Sequence, residues 1–250
     1  MNDFKGKVAV ITGGTSGIGL SAARALAARG ARVYALGRRK ELGEHVVAES
    51  SSAFDLRFQQ ADVSQEADVE SAFRRVRDES GSIDILVASH GTLGNPAPVK
   101  DQSLSDFRSV VDVNLIGTYL VARAALSCMR PGGSIVLVAS TVGNGVNFAG
   151  VAAYAASKAA VVALAKGLAL ETAGAAIRVN ALVPGGVDTP MFRSTMGATP
   201  EGSAHIASLH ALGRVARSEE LAEAIAFLAS DAASFVTGSA LYVDGGMTAK

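Results

Sequence analysis

Seven short apolar runs, spaced along a chain of 250 residues, constrain this fold more than any other feature. They cover residues 8–12, 32–36, 56–59, 83–88, 134–139, 177–182 and 241–243. As a set they are continuous rather than alternating, the pattern of strands buried on both faces. Between them lie stretches with helical spacing. Residues 18–29 form one, closed by Gly30, and residues 41–51 form another. Val69, Ala72, Phe73 and Val76 repeat at i, i+3, i+4, i+7, behind a Ser64 cap with Glu66 and Asp68 in the first turn. Ser103-Leu104-Ser105-Asp106 has the form of a capping box opening a long helix toward Cys128, which Pro131-Gly132-Gly133 stops. Residues 154–172 form the next helix, and Ser218 caps a late one running to Leu228. This alternation predicts an α/β fold: a doubly wound parallel sheet of about seven strands with helices on both faces. No linker or repeat divides the chain, so residues 1–250 are expected to form a single domain. Residues 191–213 shift to Gly, Thr, Pro, Ser and His, as expected of a partly helical lid at about 190–213.

The first strand runs into Gly13-Gly14-Thr15-Ser16-Gly17-Ile18-Gly19 and then a helix. Gly13 can take backbone angles closed to other residues, and Gly17 and Gly19 let ligand and strand approach the main chain. Unpaired N–H groups at the positive end of that helix form a phosphate site. The spacing is Gly-x-x-x-Gly-x-Gly, and its place in the first strand–helix unit points to a dinucleotide. The second strand ends at Leu36-Gly37-Arg38-Arg39, with no carboxylate for a ribose 2′-hydroxyl. Gly37 leaves room, Arg38 offers a guanidinium to a 2′-phosphate, and Ser16 can add a hydroxyl donor. NADP(H) is therefore expected over NAD(H). Asp62 in Ala61-Asp62-Val63 is either an acceptor for the adenine amino group or a turn or cap residue.

Lys plus Arg and Asp plus Glu both number 23, so net charge is zero and no basic stripe suggests nucleic acid. Lys158, Lys166 and Glu171 interrupt the longest apolar stretch, so no membrane span is expected. The N-terminus lacks a signal-peptide apolar region, and a cytoplasmic protein is expected. Cys128 is the single cysteine and reads as an inert thiol. The four histidines show no zinc-like grouping; His205 and His210 are five apart, wrong for one helix face, and no metal site is expected.

Tyr154 and Lys158 stand at i and i+4 on one helix face. A phenol with a pKa of about 10 is ionised about one part in a thousand at neutral pH, and an ammonium beside it favours phenolate. Such a tyrosine serves as general acid and base. With these motifs assembled, the chain resembles the short-chain dehydrogenase/reductase family over essentially its full length, and 3-oxoacyl reductase-like members in particular. The matching stretches are Thr12 to Gly19, Asp62-Val63, Asn114-Leu115-Ile116-Gly117, Ser140, Tyr154 to Lys158, Pro184 to Met191, and Gly238 to Gly246.

The resemblance implies a Rossmann-type oxidoreductase that interconverts a ketone and a secondary alcohol by hydride transfer. Tyr154 would exchange the proton with the substrate oxygen, and Ser140 would orient that oxygen, with Thr141 an alternative hydroxyl. Lys158 would lower the Tyr154 pKa and hold the nicotinamide ribose. Asn114 would hold a water linking Lys158 to solvent, or simply satisfy buried backbone groups. Cofactor contacts fall to Gly13, Thr15, Ser16, Gly17, Ile18, Gly19, Arg38, Arg39, Asp62, Val63, Ser89 and Gly91, with Tyr154 and Lys158. In Pro184-Gly185-Gly186-Val187-Asp188-Thr189-Pro190, the residues Pro184, Gly185, Val187 and Thr189 would cover the nicotinamide.

Two departures stand out. The family often has Asn-Asn-Ala-Gly after the fourth strand, whereas this chain has Ala88-Ser89-His90-Gly91. Ser89 is expected to replace a lost amide, and His90 to be a solvated turn residue or a titrating group near the cofactor. Ser140 and Tyr154 are also one residue further apart than usual, which places an extra residue in the loop 144–151 beside the substrate. Phe148, Met191, Phe192 and Met196 suggest apolar pocket walls. The helix from Tyr154 is apolar nearly all round, which favours an oligomer, and the resemblance favours a homotetramer. The rival readings are an NAD(H)-dependent alcohol dehydrogenase of the same fold, a non-catalytic dinucleotide-sensing protein, and an epimerase or dehydratase that recycles its nicotinamide.

Overall fold

The computed structural model describes residues 3–50 and 54–249. Nine strands appear among these residues: β1 (Val8–Thr12), β2 (Arg32–Gly37), β3 (Leu56–Gln60), β4 (Ile83–Ala88), β5 (Met129–Val138), β6 (Arg178–Pro184), β7 (Val187–Asp188), β8 (Ala216–Arg217) and β9 (Ala240–Val243). Seven of them form one sheet in the order β3-β2-β1-β4-β5-β6-β9, and every pairing is parallel. These seven are the predicted runs, within a residue or two except at the start of β5. The order reverses between β1 and β4, which opens a crevice at the carboxyl ends of the strands.

The helices are α1 (Gly17–Ala28), α2 (Lys40–Ser50), α3 (Glu66–Ser80), α4 (Leu104–Val111), α5 (Gly117–Leu126), α6 (Ala152–Thr172), α7 (Pro190–Arg193), α8 (Pro200–Leu209) and α9 (Ser218–Ala229). The last residue predicted for the second helix lies outside the described residues. One core joins Val10, Leu36, Phe73, Leu86, Val121 and Val161, under α3, α5 and α6. The other joins Ile11, Leu26, Val46, Val87, Leu221 and Ile225, under α1, α2 and α9. The strands β1, β2, β4, β5 and β6 are apolar in continuous runs because each of them feeds both cores.

Four local expectations are corrected. Ser64 does not cap α3: Gln65 holds that position, and the Ser64 N–H and hydroxyl both donate to Asp62 Oδ1, at 3.0 and 2.8 Å. Ser218 is the first residue of α9 rather than its cap; the backbone N–H of Arg217 donates to Glu220 Oε2 at 2.8 Å. Pro131-Gly132-Gly133 lies inside β5, where a register shift opposite Ile83–Ile85 loops the backbone out and Gly132 takes φ 82°. The long helix begins as expected, with the Asp106 N–H donating to the Ser103 hydroxyl at 3.0 Å. It is broken, however, by a π-helical turn at Asp112–Ile116 that joins α4 to α5. Such turns insert a residue without ending a helix and often mark functional sites.

By length and composition, Leu104–Leu126 and Ala152–Ala175 are apolar enough to cross a membrane. In the fold their buried faces pack on the sheet and on one another, with Asn114 and Lys158 turned inward. Segment 190–213 contains α7 and α8, each opening on a proline behind a threonine cap. The small β7–β8 pair ties its two ends together.

Candidate active site

A cleft of about 340 Å³ lies over the crevice between β1 and β4. Gly13, Thr15, Ser16, Gly17 and Ile18 line it from the β1–α1 turn, and Arg38 and Arg39 from the end of β2. Asp62, Val63, Ser89 and Gly91 follow from the ends of β3 and β4. Ser140 lines it from just beyond β5, Tyr154 and Lys158 from α6, and Pro184, Gly185, Val187 and Thr189 from the end of β6 and the segment after it. Of the predicted site residues, only Gly19 and Asn114 stand behind the wall.

Both serve the wall from there. A Cβ at Gly19 would lie 2.3 Å from the Gly13 carbonyl oxygen, so its absence lets α1 close onto the turn. Asn114, on the π turn, is fully buried. Its Oδ1 accepts from the Thr92 N–H at 2.8 Å, and its Nδ2 donates to the Thr92 carbonyl at 2.9 Å and the Ser157 hydroxyl at 3.0 Å. These bonds tie the π turn to the Thr92 backbone and to α6.

At the far end, Tyr154 shares a hydrogen bond with the Ser140 side chain. The Ser140 hydroxyl also accepts from the Val142 N–H at 3.1 Å. Lys158 is 4% exposed and donates to the Val138 carbonyl at 2.8 Å. Burial pulls its ammonium down to about 8. Burial also raises the Tyr154 phenol above its usual value, and the Ser140 bond only partly offsets this. The depressed phenol expected from Lys158 alone is therefore not found. The physical reason is that both groups sit in the same dry wall, where desolvation outweighs their spacing.

Several residues had no clear signal in the sequence. Asn144 ties two of the cleft residues together from behind: its Nδ2 donates to the carbonyls of Ser140 and Lys158, at 2.9 and 3.1 Å. His90 is not solvated, and its ring is neutral at physiological pH. It is buried between the Thr12 hydroxyl on Nδ1, at 2.6 Å, and the Thr118 hydroxyl on Nε2, at 3.3 Å. Burial first, and then the Lys158 charge, push its pKa down to about 3. Leu93, Ile206 and Met247 complete the apolar wall with the expected Phe148, Met191, Phe192 and Met196. Thr189 caps α7 through its hydroxyl, and its methyl packs against Gly17. Cys128 is half-buried, with its thiol donating to the Ala124 carbonyl and its pKa raised by burial.

The cleft fits a dinucleotide. Ser16 makes no side-chain cap and the first turn of α1 carries no acid, which leaves its N–H groups for a phosphate. Gly13 takes φ 67°, and a Cβ there would strike the His90 N and Ser89 carbonyl at 2.9 Å. At Gly91 a Cβ would meet Lys158 Nζ at 3.3 Å.

Comparison with known proteins points the same way. A family model described as enoyl-(acyl carrier protein) reductase matches residues 13–248. The cis-4-hydroxycyclohexanecarboxylate dehydrogenase of Sinomonas cyclohexanicum is 42% identical, over 98% of each chain. The 2,5-dichloro-2,5-cyclohexadiene-1,4-diol dehydrogenase of Sphingobium indicum is 38% identical, over 100% of each. A solved structure described as a short-chain dehydrogenase/reductase family protein superposes with a TM-score of 0.88 at 38% identity, covering 99% of this chain and 100% of that one. This chain belongs to the short-chain dehydrogenase/reductase family. As a family member it is an oxidoreductase acting on CH–OH groups with a nicotinamide dinucleotide. The parallel seven-strand sheet is the family's Rossmann fold.

Proposed function

We propose that this protein interconverts a neutral cyclic secondary alcohol and its ketone, with NADP(H) as cofactor. The observation that carries the reading is the convergence of Ser140, Tyr154 and Lys158 on one end of a cleft whose other end presents Arg38 and Arg39. Arg38 would take the 2′-phosphate; it is 66% exposed and 3.9 Å from Asp62, close enough to be steadied yet free to turn. The bound cofactor would supply or accept the hydride. Tyr154 gives its proton to the carbonyl oxygen in reduction and recovers it in oxidation. Ser140 holds the same oxygen as charge develops on it. Lys158, still mostly charged at neutral pH, holds the nicotinamide ribose.

The relatives named above act on a hydroxylated cyclohexane ring and a chlorinated cyclohexadiene diol, which supports a ring substrate. Here the substrate end is walled by Leu93, Phe148, Met191, Phe192, Met196 and Met247. Among the described residues the lining cations are the two arginines at the adenosine end and Lys158, which the ribose would engage, so a neutral substrate suits this end best. Segment 190–213 acts as the lid of a single domain. Leu104, Phe107, Ile116, Tyr119 and Leu170 leave apolar side chains exposed on the α4–α6 side, which suits burial in a homotetramer. A cytoplasmic location fits the same reading.

The test is Tyr154→Phe, assayed against a panel of cyclic ketones with NADPH and NADH. Turnover should fall by about 100-fold or more while cofactor binding persists. Undiminished turnover in that variant refutes the mechanism.

A further inference from the structure

The turn between β6 and β7 is held mainly by backbone bonds. The Thr141 N–H donates to the Pro184 carbonyl at 2.9 Å, the Gly185 N–H to Val243 at 3.2 Å, and the Ala216 N–H to Gly186 at 2.9 Å. The Gly186 N–H ends instead on a side chain, His210 Nε2, at 2.9 Å. His210 is 4% exposed, and its Nδ1 lies 2.8 Å from the Ile206 carbonyl on α8. The pair of contacts fixes the tautomer: Nε2 must accept, so Nδ1 carries the proton and donates to Ile206. The nearby Asp244 carboxylate is already occupied by the Gly246 and Thr248 N–H groups and the Thr248 hydroxyl.

The two glycines of the turn are shaped to this ring. A Cβ at Gly185 would lie 2.6 Å from His210 Nε2, and one at Gly186 would lie 3.0 Å from its Cε1 and 2.8 Å from Ile206 Cγ2. Turn, imidazole and lid helix thus interlock, and a shift of α8 must carry Gly186 with it.

We propose that His210 is a positioning residue, which locks the turn at the nicotinamide end of the cleft to the lid helix. It touches neither substrate nor reacting atoms and acts through the backbone of Gly186. The inference rests on the dinucleotide reading above, so its test separates the two halves of the cofactor. NADPH and adenosine 2′,5′-bisphosphate, which lacks the nicotinamide half, are titrated calorimetrically into wild type, His210→Phe and His210→Gln. If the wild type prefers NADH, then NADH and ADP replace them. Phenylalanine keeps a flat aromatic ring but leaves the Gly186 N–H unpaired, and should weaken the dinucleotide roughly tenfold while the fragment stays within about twofold. Glutamine restores an acceptor oxygen and should recover most of the loss. Unchanged dinucleotide affinity in His210→Phe overturns the proposal. So does an equal loss for both ligands with a fallen melting temperature, which marks a merely structural residue. A wild type that binds no nucleotide overturns the dinucleotide reading itself.

Discussion

Replacing His90 with glutamine should make the protein less sensitive to acid. The wild-type imidazole is buried, accepts the Thr12 hydroxyl on Nδ1 and faces the Thr118 hydroxyl with Nε2. Thr118 in turn donates to the Asn114 carbonyl at 2.7 Å, so Nε2 carries the proton, facing Thr118 and the Val113 backbone, and the depressed pKa leaves the ring neutral. Its pKa falls from 6.5 to about 3 on folding. Between those values the unfolded chain binds more protons than the folded one, so stability declines as pH drops through that window and the full cost is reached below pH 3. Working the linkage from these two values, His90 alone removes about 2 kcal/mol between pH 7 and pH 5. For a chain of this size that is a melting-temperature change of about 4–8 °C. Glutamine can still pair with both threonines but does not titrate. Thermal melts of both proteins across that range should therefore converge in favour of the variant as pH falls. Parallel curves would refute a buried neutral imidazole.

Three further outcomes follow from named contacts. Lys158 falls from 10.5 to about 8 on folding, so its penalty is present below pH 8 and disappears as pH rises toward 10.5. Wild type should thus gain about 2 kcal/mol on Lys158→Met between pH 7 and 9.5 in denaturant melts, and a constant gap would contradict this. Gly19→Ala puts a Cβ 2.3 Å from the Gly13 carbonyl oxygen, so α1 must lift off the phosphate turn. About 1–3 kcal/mol of stability should be lost together with cofactor affinity, checked by melting and titration; wild-type values in both would be incompatible with the packing. Arg38→Ala should weaken NADPH by roughly tenfold or more and leave NADH little changed, since a charge-assisted bond to phosphate is lost. Equal losses in steady-state KM for both cofactors would remove the 2′-phosphate assignment.

Much of this protein was legible because its signals are local. Strand runs such as Val8–Thr12 and Ile83–Ala88 are apolar throughout and need no partner to be recognised. The glycine turn and the Tyr154–Lys158 spacing are short-range patterns, and they meet in one cleft as expected. Expectations failed where a competing partner or an irregular turn overrides the local pattern. Ser64 looked like a cap, but the Asp62 carboxylate claims both its N–H and its hydroxyl. The π turn at Asp112–Ile116 has no periodic signature, since a single inserted residue leaves the helical pattern nearly intact.

Taken alone, the order of residues determined the alternation of strands and helices, the place of the glycine turn and the spacing that puts Tyr154 and Lys158 on one helix face. Each depends on neighbours within a helical turn or a strand's length. Only the tertiary structure decided that Ala152–Ala175 packs on a sheet, that His90 is dry and neutral, and that His210 reaches Gly186 across 24 residues. Burial and long-range hydrogen bonding are properties of what surrounds a side chain, and that is set when distant segments pack together.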